Sequence, residues 1–190
     1  MSNETFVILL LGLVVAVYAV LAFRSYWRMR GTRVIVCPET DRPAAVTVDA
    51  AHAALTAVWE KPELQLKTCS RWPERHDCNQ ACTGQIAISP EGTLAFEMLK
   101  RWYAGRDCAL CRRPIPPLHH AGPKPGMLNV ASKKHETLNW EEIPAESLPA
   151  VFETHLPVCA SCQVAEAFRR QFPDLTIDRS EHPGVGTSVH

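Results

Sequence analysis

The sequence has no excess charge of either sign. Lys and Arg number 20, Asp and Glu also 20, and the formal net charge is zero. A nucleic-acid binder needs a basic stripe to neutralise phosphates, so nucleic acid is not an expected partner. No HExxH pair, Walker loop or Ser/His/Asp order is present, which leaves hydrolytic and phosphoryl-transfer chemistry without support. The single carboxylate cluster is Glu141, Glu142 and Glu146, and no residue reads as catalytic. No internal repeat of the length that marks a solenoid is apparent.

Charge is missing most completely from Phe6 to Phe23, an apolar run of 18 residues (FVILLLGLVVAVYAVLAF). As a helix it spans about 27 Å, against a hydrocarbon core of roughly 30 Å. Tyr18, Tyr26 and Trp27 lie toward one end, where amphipathic rings favour the headgroup region. A cleaved signal peptide would need a positive segment ahead of the run. The residues there are MSNET, with Glu4 and no Lys or Arg, so an uncleaved anchor is expected. Arg24, Arg28, Arg30 and Arg33 follow the run. Basic flanks stay on the cytoplasmic side, which predicts an outside N-terminus and a cytoplasmic C-terminal domain. The expected partners are membrane lipid, through the helix, and another membrane or cytoplasmic protein.

Cysteine is the informative residue, with eight: Cys37, Cys69, Cys78, Cys82, Cys108, Cys111, Cys159 and Cys162. In a reducing compartment structural disulfides rarely persist, so the cytoplasmic orientation makes these thiols candidate metal ligands. Outside the membrane the same residues would read as four disulfides.

The local pattern predicts an α+β fold. Arg33–Cys37 and Ala44–Val48 read as strands around the turn-rich PETDRP. Asp49 caps a predicted helix over 50–60 with Leu55, Val58 and Trp59 on one side, and Pro62 stops it. A strand from Leu64 ends at Cys69. A helix is predicted from Asp77 to Ile86. Another begins at Ser89–Pro90 and stops before Gly105, with Ala95, Met98, Leu99 and Trp102 on its apolar face. Met127–Val130 and Thr137–Trp140 suggest a hairpin. A last helix over 158–172 aligns Val158, Ala165, Phe168 and Phe172 with Cys162. Six segments result: a short extracytoplasmic N-terminus (1–5), the span (6–23), a basic juxtamembrane segment (24–32), two lobes (33–105 and 106–175) and a flexible tail (176–190). Pro is frequent, at 15 residues, which predicts extensive irregular connections.

Cys108-Ala-Leu-Cys111 has the form of a tight knuckle, and Cys159-Ala-Ser-Cys162 sits where a helix starts after Pro157. A helix N-terminus favours thiolate, and positions three apart lie on the same face. Together the pairs supply the four sulfurs of a tetrahedral structural zinc site. The order of knuckle, hairpin region and helix-borne CxxC resembles a treble-clef zinc finger over residues 106–172, with a longer and more Pro-rich intervening segment. That resemblance implies Cys108, Cys111, Cys159 and Cys162 as the ligands.

Cys37, Cys69, Cys78 and Cys82 form a second set. On the predicted helix Cys78 and Cys82 are one turn apart, while Cys37 and Cys69 end strands. They suit a second four-sulfur site, an iron–sulfur cluster, or packing as small apolar side chains. Arg71 and Arg75 lie among them and suit a thiolate site or a solvated surface. His76, His119, His120 and His155 are neighbours of the cysteines that more often stand free on surfaces. Trp72, Trp102 and Trp140 read as packing residues.

Three functions follow. The first is a membrane-anchored zinc-binding module with a structural or protein-interaction role. The second is an iron–sulfur electron-transfer protein, although the C-x2-C-x2-C run of two-cluster ferredoxins is missing. The third is a thiol–disulfide oxidoreductase or redox sensor built on Cys159 and Cys162, which lacks the expected preceding strand of a thioredoxin-like site.

Overall fold

The structure is a computed structural model that describes residues 3–57, 62–74, 77–130 and 137–173. The chain divides into two compact units, one of residues 1–104 with 143–153, the other of 105–142 with 154–190.

The first unit begins with helix α1 (Asn3–Met29), which is long and apolar enough to cross a membrane. Its apolar side chains are exposed on every side. Such an all-round apolar surface suits lipid and not water. Gly31, at φ +105°, lies in the left-handed region and ends the helical path. Three antiparallel strands follow in spatial order: β1 (Thr32–Cys37), β2 (Arg42–Val48) and β3 (Leu66–Cys69). The sheet confirms the strand pattern of the sequence. Helix α2 (Ala50–Thr56) lies between β2 and β3 and starts where Asp49 accepts from the Ala51 and His52 N–H groups, at 3.1 and 3.0 Å.

Four helical expectations need correction. On α2 the buried residues are Ala50, Ala53 and Ala54, while Leu55 is exposed; Val58 and Trp59 lie outside the described residues. The helix expected from Asp77 begins only at Thr83, as α3 (Thr83–Ile88), so Cys78 and Cys82 do not share a helical face. The cause is local: the Asn79 side chain accepts from the Ala81 N–H at 3.0 Å, and Gln80 sits at φ +55°. Side chains that bond nearby backbone in this way compete with helix. Helix α4 (Ala95–Tyr103) starts after a turn at 89–93 and not at Ser89, because Leu94 bridges to Arg33 of β1. Gly105, at φ +68°, follows its end as expected. The fourth correction concerns the last helix, described below.

α4 buries Leu99, Trp102 and Tyr103. Trp102 stacks on Phe152 with centroids 5.2 Å apart, and Phe152 lies on a helix the sequence did not reveal, α5 (Leu148–Thr154). Arg33 is fully buried and not at a headgroup. Its guanidinium donates to the Pro90 carbonyl, to Thr93 Oγ1 at 3.1 Å and to the Arg28 carbonyl at 2.7 Å.

The second unit holds another antiparallel sheet, in the order β5 (Thr137–Asn139), β4 (Gly126–Asn129), β6 (His155–Val158). β4 and β5 form the expected pairing. β6 was unforeseen: it pairs Gly126 with Val158 and Asn129 with His155. Val158 therefore belongs to a strand, where it is fully buried, and the last helix is α6 (Ala160–Gln171). Its expected apolar face is not a core face, since Ala165, Phe168 and Phe172 are all exposed.

Candidate metal centre

The knuckle is a small hairpin of its own. Cys108 N–H donates to the Arg113 carbonyl at 2.9 Å, Arg112 N–H returns to the Cys108 carbonyl at 2.9 Å, and Ile115 N–H reaches the Arg106 carbonyl at 3.0 Å. Arg112, at φ +60°, makes the tight corner. Ala109 N–H donates to the Pro157 carbonyl of β6 at 2.8 Å, which fixes the knuckle beside the start of α6.

There Cys159 occupies the N-cap of α6 and Cys162 its first turn. The Cys159 N–H donates to the Cys108 sulfur at 3.2 Å. Cys111 Sγ lies 3.8 Å from Cys159 Sγ. The sulfurs of Cys108, Cys111, Cys159 and Cys162 all lie within 4.8 Å of one another, and among the described residues no other group of four donor atoms is gathered so closely. A tetrahedron with metal–sulfur bonds of about 2.3 Å has edges of about 3.8 Å. The Cys111–Cys159 separation equals that edge. These four cysteines can thus hold one metal ion in a zinc-finger-like site.

The electrostatics differ from one cysteine to the next. Burial pushes the Cys108 thiol up, but the N–H groups of Cys111, Cys159 and Leu110 face its sulfur and together bring it down to about 6. Burial raises the Cys162 thiol well above its ordinary range, and the neighbouring sulfurs of Cys159, Cys111 and Cys108 raise it further. Cys159 is also raised, by burial first. Four thiolates this close repel one another unless a cation lies between them. Leu110 was missed as a contributor because its part is a backbone N–H, which no side-chain motif records.

Cys37, Cys69, Cys78 and Cys82 line one cavity of the first unit without the tight grouping of the other four. Cys82 is buried, its thiol pushed up to about 11 by burial and by the nearby Cys69, Cys78 and Cys37. The Thr40 hydroxyl and the backbone N–H groups of Glu39 and Thr40 hold the Cys37 thiol below its usual value. Arg71 also lines this cavity. Arg75 and His76 lie outside the described residues. His119 and His120 are exposed, and His155 takes part in β6, its Nδ1 2.9 Å from Thr154 Oγ1; none belongs to the tight cysteine group.

Nothing among protein-family models, curated proteins or solved structures matches this chain. The functional conclusions therefore stand on the geometry.

Proposed function

We propose that the protein is a membrane-anchored zinc-binding module with a structural or protein-interaction role, its folded units on the cytoplasmic side. The observation that carries this is the convergence of Cys108, Cys111, Cys159 and Cys162 to within 4.8 Å. With all four positions taken by sulfur, a tetrahedral ion has no open site for substrate, which favours a structural role over catalysis. The order of knuckle, β4–β5 and the CxxC at the start of α6 keeps the likeness to a treble-clef finger, with β6 added ahead of the helix. The tight sulfur spacing leaves no room for the several irons and bridging sulfides of a cluster, so zinc is preferred to iron–sulfur. The thiol–disulfide reading gains from β6 the preceding strand it was expected to lack, and Cys111 is exposed; zinc is preferred to it because four sulfurs converge where a redox pair needs two.

Three exposed arginines, Arg24, Arg28 and Arg30, flank the apolar part of α1 and support the cytoplasmic orientation. Arg33 is withdrawn from that count by its burial.

Elemental analysis of anaerobically purified protein tests the metal. Colourless protein with at least one zinc per chain is expected; metal-free protein with full secondary and tertiary structure overturns the proposal. The topology is tested separately by reporters fused to the C-terminus. A reporter active only in the cytoplasm is expected, and one active only outside overturns the orientation.

A further inference from the structure

The four cysteines outside the tetrad have no part in the function proposed above. The sheet brings two of them to one face. In β1, Ile35 and Cys37 are two residues apart and share a side; in β2, Ala44 and Val46 do the same. The register pairs Ile35 with Ala44 and Val46 with Cys69. Directly paired residues point to the same side. Cys37 and Cys69 thus stand on one face of a three-stranded sheet, on the two strands that flank β2.

The segment 78–88 supplies the other two, and glutamines hold it to both outer strands. Gln80 Oε1 accepts from the Leu66 N–H of β3 at 2.9 Å. Gln85 pairs with Val36 of β1 through both ends of its amide, donating to the carbonyl at 2.6 Å and accepting from the N–H at 3.1 Å. Cys82 lies between these clamps and is buried beside Ile86, while Cys78 comes from the preceding loop.

We propose that Cys37, Cys69, Cys78 and Cys82 form a second metal site, which takes one soft divalent ion of the zinc class through four sulfurs. The cavity they line has a space of about 20 Å³. One water-sized sphere needs on the order of 10–15 Å³, so a single ion fits and a multi-iron cluster does not. Ile35, Ala44, Leu66 and Trp72 make the rest of the wall apolar. A small apolar space gives water few partners, whereas four sulfurs give a soft ion a full set.

The surroundings carry donors suited to thiolate. Arg71 lines the cavity, and its Nε is buried without a hydrogen-bond partner although its Nη2 lies 3.3 Å from Glu74. A divalent ion with four thiolates carries a net charge of −2, so a guanidinium beside it is stabilising and its unused N–H can reach a sulfur. Binding forms four metal–sulfur bonds, releases the thiol protons to solvent and draws the sulfurs inward. The site uses none of the tetrad residues, so it stands or falls apart from the function proposed above.

The test is zinc stoichiometry of the full-length chain in detergent, by native mass spectrometry. The unaltered protein should hold two ions. Cys69→Ser/Cys82→Ser should hold one, and Cys108→Ser/Cys159→Ser should also hold one. Failure of the tetrad alone would leave one ion that only the first variant loses. A single ion that only the second variant loses overturns the second site. Because either variant can misfold, the unaltered chain is also alkylated natively, with and without chelator. Protection of Cys37, Cys69 and Cys78 that the chelator abolishes is expected; rates at these three that are the same with and without chelator overturn the inference.

Discussion

A fully buried thiolate needs donors directed at it, and Cys108 has N–H groups from Cys111, Cys159 and Leu110. Cys111, in contrast, is exposed. Removing a ligand outright should weaken metal binding by more than the roughly 10–100-fold that loss of an outer hydrogen-bond partner costs. Cys108→Ser and Cys111→Ser should both exceed this, measured by competition with a chelating dye. Cys108→Ser should be the worse of the two, since a neutral, shorter hydroxyl is a poorer acceptor for the three N–H groups that face the Cys108 sulfur. The CxxC spacings made these ligands legible in the sequence, but the backbone donors that favour their charged forms are set by the folded path of the chain. Arg33 shows the same gap. Its charge reads as one more basic flank of the span, yet its guanidinium is buried on Pro90, Thr93 and Arg28. Arg33→Ala takes the guanidinium from the Arg28 carbonyl and leaves the Pro90 carbonyl only Thr93 Oγ1, at 3.4 Å, so it should lower stability by about 1–3 kcal/mol, read from urea unfolding. A change within error would show that water replaces the guanidinium there.

Among the elements, the hairpin of β1 and β2 was fully legible because alternation and a turn cluster agree. Helix α2 was legible at its start for an equally local reason, the Asp49 cap. Its consequence is pH-dependent. The His52 and Ala51 N–H groups hold the Asp49 carboxyl below its ordinary 3.8 despite opposing desolvation. With the folded value depressed, the unfolded chain binds the proton first as pH falls. The stabilisation is therefore complete above the ordinary carboxylate range and disappears as pH drops through the folded value. Asp49→Ala should lower the melting temperature at neutral pH, and the gap from the unaltered chain should close in acid; a gap of constant size would assign the effect to something other than the cap. Elements whose outcome rests on distant partners were not legible. α3 is shorter than its sequence pattern because the Asn79 and Gln80 side chains bond backbone outside it. β6 is a strand by virtue of its pairing with β4, and its sequence, HLPV, contains a proline that argues against a strand. α5 was missed within a Pro-rich region, and its Phe152 is fixed by stacking with Trp102 from a remote segment.

On the scale of the whole molecule, each unit combines a three-stranded sheet with a cysteine set, and the second unit has little else to hold it. α6 buries no residue, and among the described residues the buried apolar side chains of that unit are Cys108, Ile115, Leu118, Met127, Leu128 and Val158. On the proposed function, metal binding would then be a large part of its folding free energy. Adding a chelator should raise hydrogen exchange in β4, β6 and the first turn of α6; unchanged protection there would mean the apolar cluster suffices. The first unit depends on α1 in a different way. The helix continues past its apolar run, and its last turn buries Met29 among Ile35, Val46, Ala50 and Ala53. Ser25 Oγ donates to the Ala53 carbonyl at 3.5 Å. The end of the apolar helix is thereby part of the core and not a tether beside it. A fragment that begins at Arg24 keeps both contacts; one that begins at Gly31 loses both. Losing a buried Met side chain costs about 2–5 kcal/mol, so the shorter fragment should unfold at distinctly lower urea. Equal midpoints for the two would show that α1 serves the span alone. A lower midpoint for the shorter fragment would mean that the core is built directly onto α1, with only Arg30 and Gly31 between that helix and the first strand.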